Sequence, residues 1–216
     1  MPAIVKLLEH PTDIQIVECA ALLSKALEGD VTIRAMTGGR EELAPALFRA
    51  MLRAGSLGGK FHVVSDEVSG QITTVAISFA PGGGLFDRVD QREAGWNDFF
   101  ASLSHETQTW WRTTLGKDYA DAIHAILGNH YNNRWQINVL ATHPERQRNG
   151  YATAVIQAVC SLAAKDKTVL ALTTQNERNA QFYQHRGFSI VGTTEVNAPT
   201  GPWTQYVVLW DPNVPS

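Results

Sequence analysis

A short polar turn between two apolar stretches holds the residue types best suited to chemistry in this sequence. It reads Pro144-Glu-Arg-Gln-Arg-Asn-Gly150, and a helix-like run begins with Tyr151-Ala152. The first N–H groups of a helix lack internal partners, and the helix dipole makes that end positive. Gly150 has no Cβ to obstruct a phosphate, and Arg146 and Arg148 add positive charge. The turn therefore predicts a pyrophosphate-binding site, the alternative being an ordinary strand–turn–helix connection.

A second polar group lies downstream, at 176–188. It comprises Asn176, Asn179, the pair Phe182-Tyr183 and, after a short helix, Gly187. A tyrosine hydroxyl within reach of a leaving group can donate a proton to it. Tyr183 could instead be a core aromatic residue, and Asn179 could cap its helix.

The sequence lacks the residues that several other kinds of binding site require. The dinucleotide pattern G-x-G-x-x-G is absent, and Gly58-Gly-Lys60 lacks the first glycine and the Ser or Thr of a phosphate-binding P-loop. His124 and His130 are six residues apart, which is not one helix face, and no Cys or carboxylate cluster accompanies them. We therefore expect no metal site, and we read His185 as a surface residue.

The composition limits the classes of partner. The chain has 216 residues with a formal net charge of −3, which argues against a nucleic-acid-binding protein. Two isolated cysteines favour a reducing compartment, and the sequence has no long apolar run that would suggest a membrane span. The expectation is a cytoplasmic protein without nucleic-acid or membrane partners, as a monomer or weak dimer.

Hydrophobic periodicity supplies the elements that must position these residues. Helices alternate with strands in the second half, and no linker divides the chain, so 1–216 is predicted as one domain. The run 134–142 lacks clean alternation, which predicts a central strand covered on both faces. The predicted strands are 4–8, 61–65, 71–79, 134–142, 168–173, 188–191 and 203–209, with a connection at 66–70; the predicted helices are 12–27, 40–54, 96–113, 117–127, 149–164 and 177–185.

The segment 85–131 differs from the rest because it is rich in large aromatic residues. Such residues dominate cores, and some of these could line a substrate pocket instead. The eight are Phe86, Trp96, Phe99, Phe100, Trp110, Trp111, Tyr119 and Tyr131.

The two motifs together, with their separation and strand order, resemble the GNAT acetyltransferase superfamily. The resemblance rests on Gln147-x-x-Gly150-x-Ala152 and on Asn176, Asn179 and Phe182-Tyr183 before Gly187-Phe188. Within that superfamily the sequence looks most like the puromycin N-acetyltransferase type, on the run 178–188 and on Glu195-Val196 and 201–204. The close similarity covers roughly 134–210.

The resemblance implies a mixed α/β fold with a splayed, mostly antiparallel sheet of six to seven strands flanked by helices. It implies that 134–210 binds acetyl-CoA and that 85–131 is a helical insertion covering the acceptor site. Tyr183 would be the general acid, and Asn179 is favoured over Asn176 for the pantetheine arm. The implied cofactor-binding residues are Leu140, Ala141, Thr142, Gln147, Arg148, Asn149, Gly150, Tyr151, Ala152, Asn176, Asn179 and Phe182.

The activity expected from the resemblance is transfer of acetyl from acetyl-CoA to a primary amine of a small molecule, without a covalent enzyme intermediate or a metal. A non-catalytic acyl-CoA-binding module and an enzyme for peptide or protein amines are the alternatives. A general base is not evident, and a water relay or a carboxylate within 85–121, such as Asp98, is considered.

Overall fold

Runs of β-branched and aromatic residues form one sheet in the computed structural model, which describes residues 3–66 and 69–214. Glu67 and Val68, within the predicted 66–70 connection, lie outside the described residues. The seven strands found in those ranges confirm the predicted sheet: β1 (Val5–Leu7), β2 (Lys60–Ser65), β3 (Ile72–Phe79), β4 (Arg134–Thr142), β5 (Val169–Thr174), β6 (Ser189–Val196) and β7 (Trp203–Trp210).

The strand order is β1-β2-β3-β4-β5-β7-β6, and only β4 and β5 run parallel. These two strands pair at three positions, from Arg134↔Val169 to Gln136↔Ala171, and then part. We call the opening beyond Gln136 and Ala171 the β4–β5 splay. The splayed, mostly antiparallel sheet expected from the sequence is therefore present.

A β-bulge at Asn138 changes the faces that β4 presents. Ile77 pairs with Val139 and Ser78 with Ile137, which leaves Asn138 as an extra, exposed residue. Ile137 packs in one cluster and Val139 in another, on opposite sides of the sheet. The prediction that both faces of this strand are covered was wrong at Asn138, because the splay leaves that position open.

Two layers of helices cover the sheet. The helices are α1 (Asp13–Ala26), α2 (Val31–Met36), α3 (Ala44–Gly58), α4 (Val89–Gln91), α5 (Asn97–Ser102), α6 (His105–Trp110), α7 (Ala120–Leu127), α8 (Tyr151–Lys165) and α9 (Glu177–Gln184). Short helical turns join them at Glu41–Leu43, Arg92–Trp96, Trp111–Tyr119, Gly128–His130 and Pro144–Arg146. Helices α8 and α9 pack on one face, and α1 and α3 pack on the other.

Two predictions for this layer were wrong. Helix α2 was missed because its β-branched start gives a weak helical signal, although Asp30 caps it at Thr32 and Ile33. Helix α3 continues to Gly58, and a Cβ on Gly55 would lie 2.6 Å from the Ile77 side chain. That glycine therefore permits close packing on β3 and does not begin a loop.

The break within 96–127 also lies elsewhere than predicted. Leu103 and Ser104 separate α5 from α6, because the Ser104 side chain accepts a hydrogen bond from the Thr107 N–H and starts a new helix. Gly116 lies inside the turn Trp111–Tyr119, which joins α6 to α7 without interruption. None of the helices within 3–66 and 69–214 is both long and apolar enough to cross a membrane.

Burial of His62 makes the stability of the fold depend on pH. His62 is 1% exposed, and its Nε2 lies 2.7 Å from Ser78 Oγ. Burial, with a smaller effect from Lys60, lowers the pKa of His62 from 6.5 to about 4. The unfolded chain therefore binds a proton below pH 6.5 that the folded chain does not bind until about pH 4.

We expect the free energy of unfolding to fall by about 3 kcal/mol between pH 6.5 and 4 on account of this residue. His62→Asn should remove most of that dependence, whereas His10→Asn, at an exposed position, should retain it. Urea unfolding at several pH values measures the difference. Equal pH dependence in the wild type and His62→Asn would contradict the assignment.

Candidate active site in the β4–β5 splay

Unpartnered backbone donors cluster where β4 leads into α8. Arg148 has φ 67° and Gly150 has φ 80°, and Gly150 caps α8 without any side-chain cap. In the described chain, the N–H groups from Arg148 to Thr153 donate no hydrogen bond to a protein acceptor. Six consecutive free donors at a helix N-terminus form an anion-binding site.

Polar side chains hold the 144–150 loop in this conformation. Gln147 Nε2 donates to the Thr142 carbonyl at 3.3 Å, and Asn149 Nδ2 donates to the carbonyls of Arg146 and Gln147. The Gln147 N–H donates weakly to the Pro144 carbonyl, at 3.4 Å, so the free donors begin at Arg148. Gln147 and Asn149 therefore support the loop with their side chains.

The two arginines of the loop differ in whether their side chains form an ion pair. Arg146 forms an ion pair with Asp66 at 3.4 Å, which ties the loop to the β2–β3 connection. Arg148 forms no ion pair within the described residues, and its exposed side chain can reach an anion at the helix end. Of the two mobile charges expected from the sequence, only Arg148 is free.

The backbone edge of β4 is divided between β3 and the splay. The His143 N–H donates to the Thr73 carbonyl at 2.8 Å, and successive residues of a strand present their backbone groups to alternate edges. The backbone groups of Leu140 and Thr142 therefore face the splay. The backbone groups of Ala141 face β3, and its side chain is buried in the core. The structure therefore gives no support to a direct contact of Ala141 with a cofactor.

The asparagines of the second motif have different roles. Asn176 is the N-cap of α9, because its Oδ1 accepts from the N–H groups of Arg178 and Asn179. The Asn179 side chain is exposed and makes no hydrogen bond within the described chain. The capping role considered for Asn179 therefore belongs to Asn176, and Asn179 keeps its amide available.

Tyr183 lies on α9 in the cluster beneath α8. It is 9% exposed, and Phe182 and Phe188 contact its ring edge to face. Burial raises the pKa of Tyr183 to about 12, and the nearby Arg186 opposes this rise. The hydroxyl is thus protonated at neutral pH and donates no hydrogen bond to the described protein. Arg186 stacks on Phe182 at 3.5 Å and donates to Thr153 Oγ1, which joins α9 to α8.

A cavity of about 670 Å³, which we call the central cavity, lies on the face of the sheet opposite to α8 and α9. It reaches the splay, because both Asn138 of β4 and Thr173 of β5 line it. The segment 82–131 supplies much of its wall. Other lining residues are Met36, Met51, Leu85, Phe86, Asp87, Trp111, Leu115, Tyr119, Ile123, Leu127, Tyr131, Arg134, Gln136, Ile137 and Leu172.

The eight aromatic residues of 85–131 divide between core and cavity. Phe86, Trp111, Tyr119 and Tyr131 line the central cavity. Trp96 lies behind Phe86, with ring centroids 4.3 Å apart, and it also contacts Phe99 and Phe100. Four of the eight residues therefore line a cavity, and the other four pack in the core.

The polar side chains of Asp87, Arg134, Gln136 and Thr173 line the cavity and were not predicted from the sequence. Tyr119 OH donates to Thr173 Oγ1 at 2.9 Å, and Arg134 Nη2 donates to Gln136 Oε1 at 2.9 Å. Asp87 also lines the cavity, and although its side chain is largely exposed, partial burial raises the pKa of its carboxyl. Asp98, considered from the sequence, is exposed on α5 and does not line it.

These residues were missed because no short motif marks them. They come from separate strands and from one loop, and only the folded chain places them together. Among the described residues, no group of three or more His, Cys, Asp or Glu side chains could hold a metal ion.

Gly150→Ala tests the anion site directly. An alanine at φ 80° costs about 1–2 kcal/mol, and its methyl group would stand beside the free N–H groups without a clash. We expect the affinity for inorganic pyrophosphate, measured by calorimetry, to fall about tenfold. Gly29→Ala is the control, because Gly29 has φ 73° and equally open surroundings. Equal pyrophosphate affinities of the two variants would contradict this site.

Comparison with known proteins agrees with this geometry. Residues 110–190 match the model of the acetyltransferase (GNAT) domain. The search against curated proteins finds no match. The structure is similar to a Corynebacterium glutamicum protein described as histone acetyltransferase HPA2 and related acetyltransferase, with TM-score 0.66 and 16% identity over 100% of this chain and 99% of that one.

Two further solved structures share the arrangement over nearly their whole length. An N-acetyltransferase from Staphylococcus aureus has TM-score 0.59 and 13% identity over 95% of this chain and 100% of its own. A mosquito arylalkylamine N-acetyltransferase-like protein has TM-score 0.57 and 10% identity over 96% and 99%. At such identities the likeness concerns the fold alone. The chain therefore has the fold of the GNAT acetyltransferases, and its residues 110–190 match that domain.

Proposed function

We propose that this protein is an acetyl-CoA-dependent N-acetyltransferase that acetylates a primary amine of a small molecule. The observation that carries the proposal is the splay, which joins an anion site at one face to a cavity at the other. A thioester bound from the α8 side would present its acetyl group to an amine in the central cavity. The match of 110–190 to the acetyltransferase domain supports this reaction.

The donor would extend from the start of α8 into the splay. Its pyrophosphate would accept hydrogen bonds from the N–H groups of 148–153, with Arg148 adding charge. The backbone groups of Leu140 and Thr142 that face the splay would pair with the pantetheine arm and the acetyl carbonyl. Asn179, whose amide is available, would bind the same arm from the other side.

The reaction would proceed by direct attack. The amine nitrogen forms a bond to the thioester carbonyl carbon, and backbone N–H donors stabilise the negative charge on its oxygen. The C–S bond then breaks, and Tyr183 donates its proton to the leaving thiolate. The proton lost by the amine passes to a base on the cavity side.

Asp87 is our candidate for that base. It is the carboxylate that lines the central cavity, and a raised pKa makes it a better proton acceptor than an ordinary aspartate. It replaces Asp98 within the range considered from the sequence. Arg92 holds the loop by donating to the carbonyls of Phe86 and Asp87, at 2.7 and 2.9 Å.

The shape of the acceptor site supports a small molecule. The segment 82–131 forms much of the cavity wall, and the volume of about 670 Å³ suits a ligand of drug size better than an extended peptide. The finer resemblance to the puromycin N-acetyltransferase type places aminonucleosides among the acceptors to be tried. Arylalkylamines join them because one structural neighbour bears that name.

Release of free CoA thiol from acetyl-CoA in the presence of amine panels tests the proposal. The panel comprises arylalkylamines, aminonucleosides, polyamines, amino acids and short peptides. We expect at least one small amine to accelerate thiol release. Acetyl-CoA binding by calorimetry without thiol release from any amine would indicate a non-catalytic binding module instead, and release with peptides alone would contradict the small-molecule acceptor.

Tyr183→Phe removes the proposed acid while keeping the ring in its aromatic cluster. Loss of a general acid lowers the rate typically by about 10²–10⁴-fold, so we expect kcat to fall by that amount with little change in acetyl-CoA affinity. Tyr206→Phe serves as control, because Tyr206 packs against the same cluster from β7. Steady-state kinetics with unchanged kcat in Tyr183→Phe would exclude the acid role.

Asp87→Asn removes the proposed base. Only the ionised carboxylate accepts a proton, so the wild-type kcat/KM should fall as the pH drops through the raised pKa of Asp87. In Asp87→Asn we expect kcat/KM to be lower by about 10²-fold and this acidic limb to disappear. Asp98→Asn, at an exposed position off the cavity, should retain both rate and profile. A persistent acidic limb in Asp87→Asn would assign the base elsewhere.

A further inference from the structure

Arg134 gives the central cavity an uncompensated positive charge. No carboxylate of the described residues lies within ion-pair distance of it, and no other Lys or Arg lines the cavity. Asp87 lines the cavity without being paired to this guanidinium. A half-buried cation without a counter-ion is unusual, because burial of an unpaired charge is costly.

The surrounding residues fix the position of this guanidinium. It stacks on the Tyr131 ring, 4.5 Å from the centroid, and Nη2 donates to Gln136 Oε1. Gln136 in turn donates to the Gly83 carbonyl at 2.8 Å, so the pair is anchored to the 82–87 loop. Of the five N–H donors of a guanidinium, this leaves most available to a ligand.

The guanidinium lies at the closed end of the splay. Arg134 is at the start of β4, and its side chain reaches Gln136, the last residue of β4 that pairs with β5. Asn138, where the cavity meets the open splay, is two residues further along the strand. Two residues of strand correspond to about 7 Å, so the cation is roughly this far from the point where the cavity meets the open splay.

The stack on Tyr131 does not by itself account for the charge. A cation–π contact at a partly exposed site stabilises a structure only slightly, and a neutral side chain of similar length could fill the same space. Burial lowers the pKa of Arg134 because it disfavours the charged guanidinium, and a negatively charged ligand would offset this cost.

We propose that the acceptor carries a carboxylate, which Arg134 binds, at the opposite end of an apolar or aromatic body from its amine. The inference rests on the proposed acetyl transfer and names the substrate class of the same site. A single cation matches a monoanion better than a doubly charged phosphate, and guanidinium and carboxylate pair through two parallel hydrogen bonds. Phe86, Trp111 and Leu115 supply apolar walls for the body between the two groups.

Three matched amines test this assignment. They are 4-(2-aminoethyl)benzoate, its neutral amide 4-(2-aminoethyl)benzamide, and 2-(4-methylphenyl)ethylamine, which differ only at the position distant from the amine. A charge-assisted hydrogen bond contributes enough to change a rate or an affinity about 10–100-fold. The wild type should therefore acetylate the benzoate with kcat/KM about 10–100 times that of the methyl compound.

Variants of Arg134 assign the preference to this side chain. In Arg134→Gln the ratio of benzoate to methyl compound should fall below about 3, and Arg134→Lys should retain an intermediate ratio because it keeps the charge without the paired geometry. Arg112→Gln is the matched control, since Arg112 also lies over an aromatic ring, that of Phe100, but does not line the cavity. Its ratio should equal that of the wild type.

A binding measurement separates failure of this inference from failure of the proposed transfer. With CoA bound, calorimetry should give a lower Kd for the benzoate than for the methyl compound in the wild type, and the difference should vanish in Arg134→Gln. If no amine releases thiol yet this difference is found, the transfer reaction fails and the carboxylate site stands. Equal Kd values in the wild type, or a preference that persists in Arg134→Gln, would overturn the inference.

Discussion

The parting of β4 from β5 is the constraint on which the rest of the structure depends. Beyond Gln136, the edge of β4 that faces β5 has lost its strand partner, although the strand continues to Thr142 in the middle of the sheet. Buried backbone groups without partners cost free energy, so an opening of this kind persists only where water or a ligand satisfies them. A bound thioester arm would supply the missing hydrogen bonds as an additional strand would. The site is thus a consequence of incomplete pairing in the sheet.

Elements on both faces keep this opening in place. Gln147 joins the end of β4 to the 144–150 loop, and Arg186 joins α9 to the first turn of α8. On the opposite face, Tyr119 reaches Thr173 of β5, while Gln136 of β4 holds the 82–87 loop. These hydrogen bonds therefore attach β4 to the 144–150 and 82–87 loops, and β5 to the turn Trp111–Tyr119. This arrangement separates a donor side, rich in backbone N–H groups, from an acceptor side lined by aromatic and ionisable side chains.

The sequence predicted the parts of this site that depend on local chemistry. The bounds of β4, the glycine at the start of α8 and the tyrosine on α9 follow from periodicity, turn residues and motif spacing, and all three are where they were expected. The acceptor side was less accessible to such reasoning. Asp87, Arg134 and Thr173 are far apart along the chain and show no common spacing, so only tertiary packing places them around one cavity. The bulge at Asn138 likewise depends on register with β3, which a single strand does not encode.

A crystal structure with acetyl-CoA tests the central claim most directly, because that claim concerns where the acetyl donor binds. Our account predicts the pyrophosphate within hydrogen-bond distance of the N–H groups from Arg148 to Thr153. It also predicts the thioester between β4 and β5, beside Leu140 and Thr142, with its carbonyl carbon open to the central cavity. Acetyl-CoA bound in the groove between α8 and α9 that extends from Thr153 to Trp210, or bound with the splay empty, would contradict it.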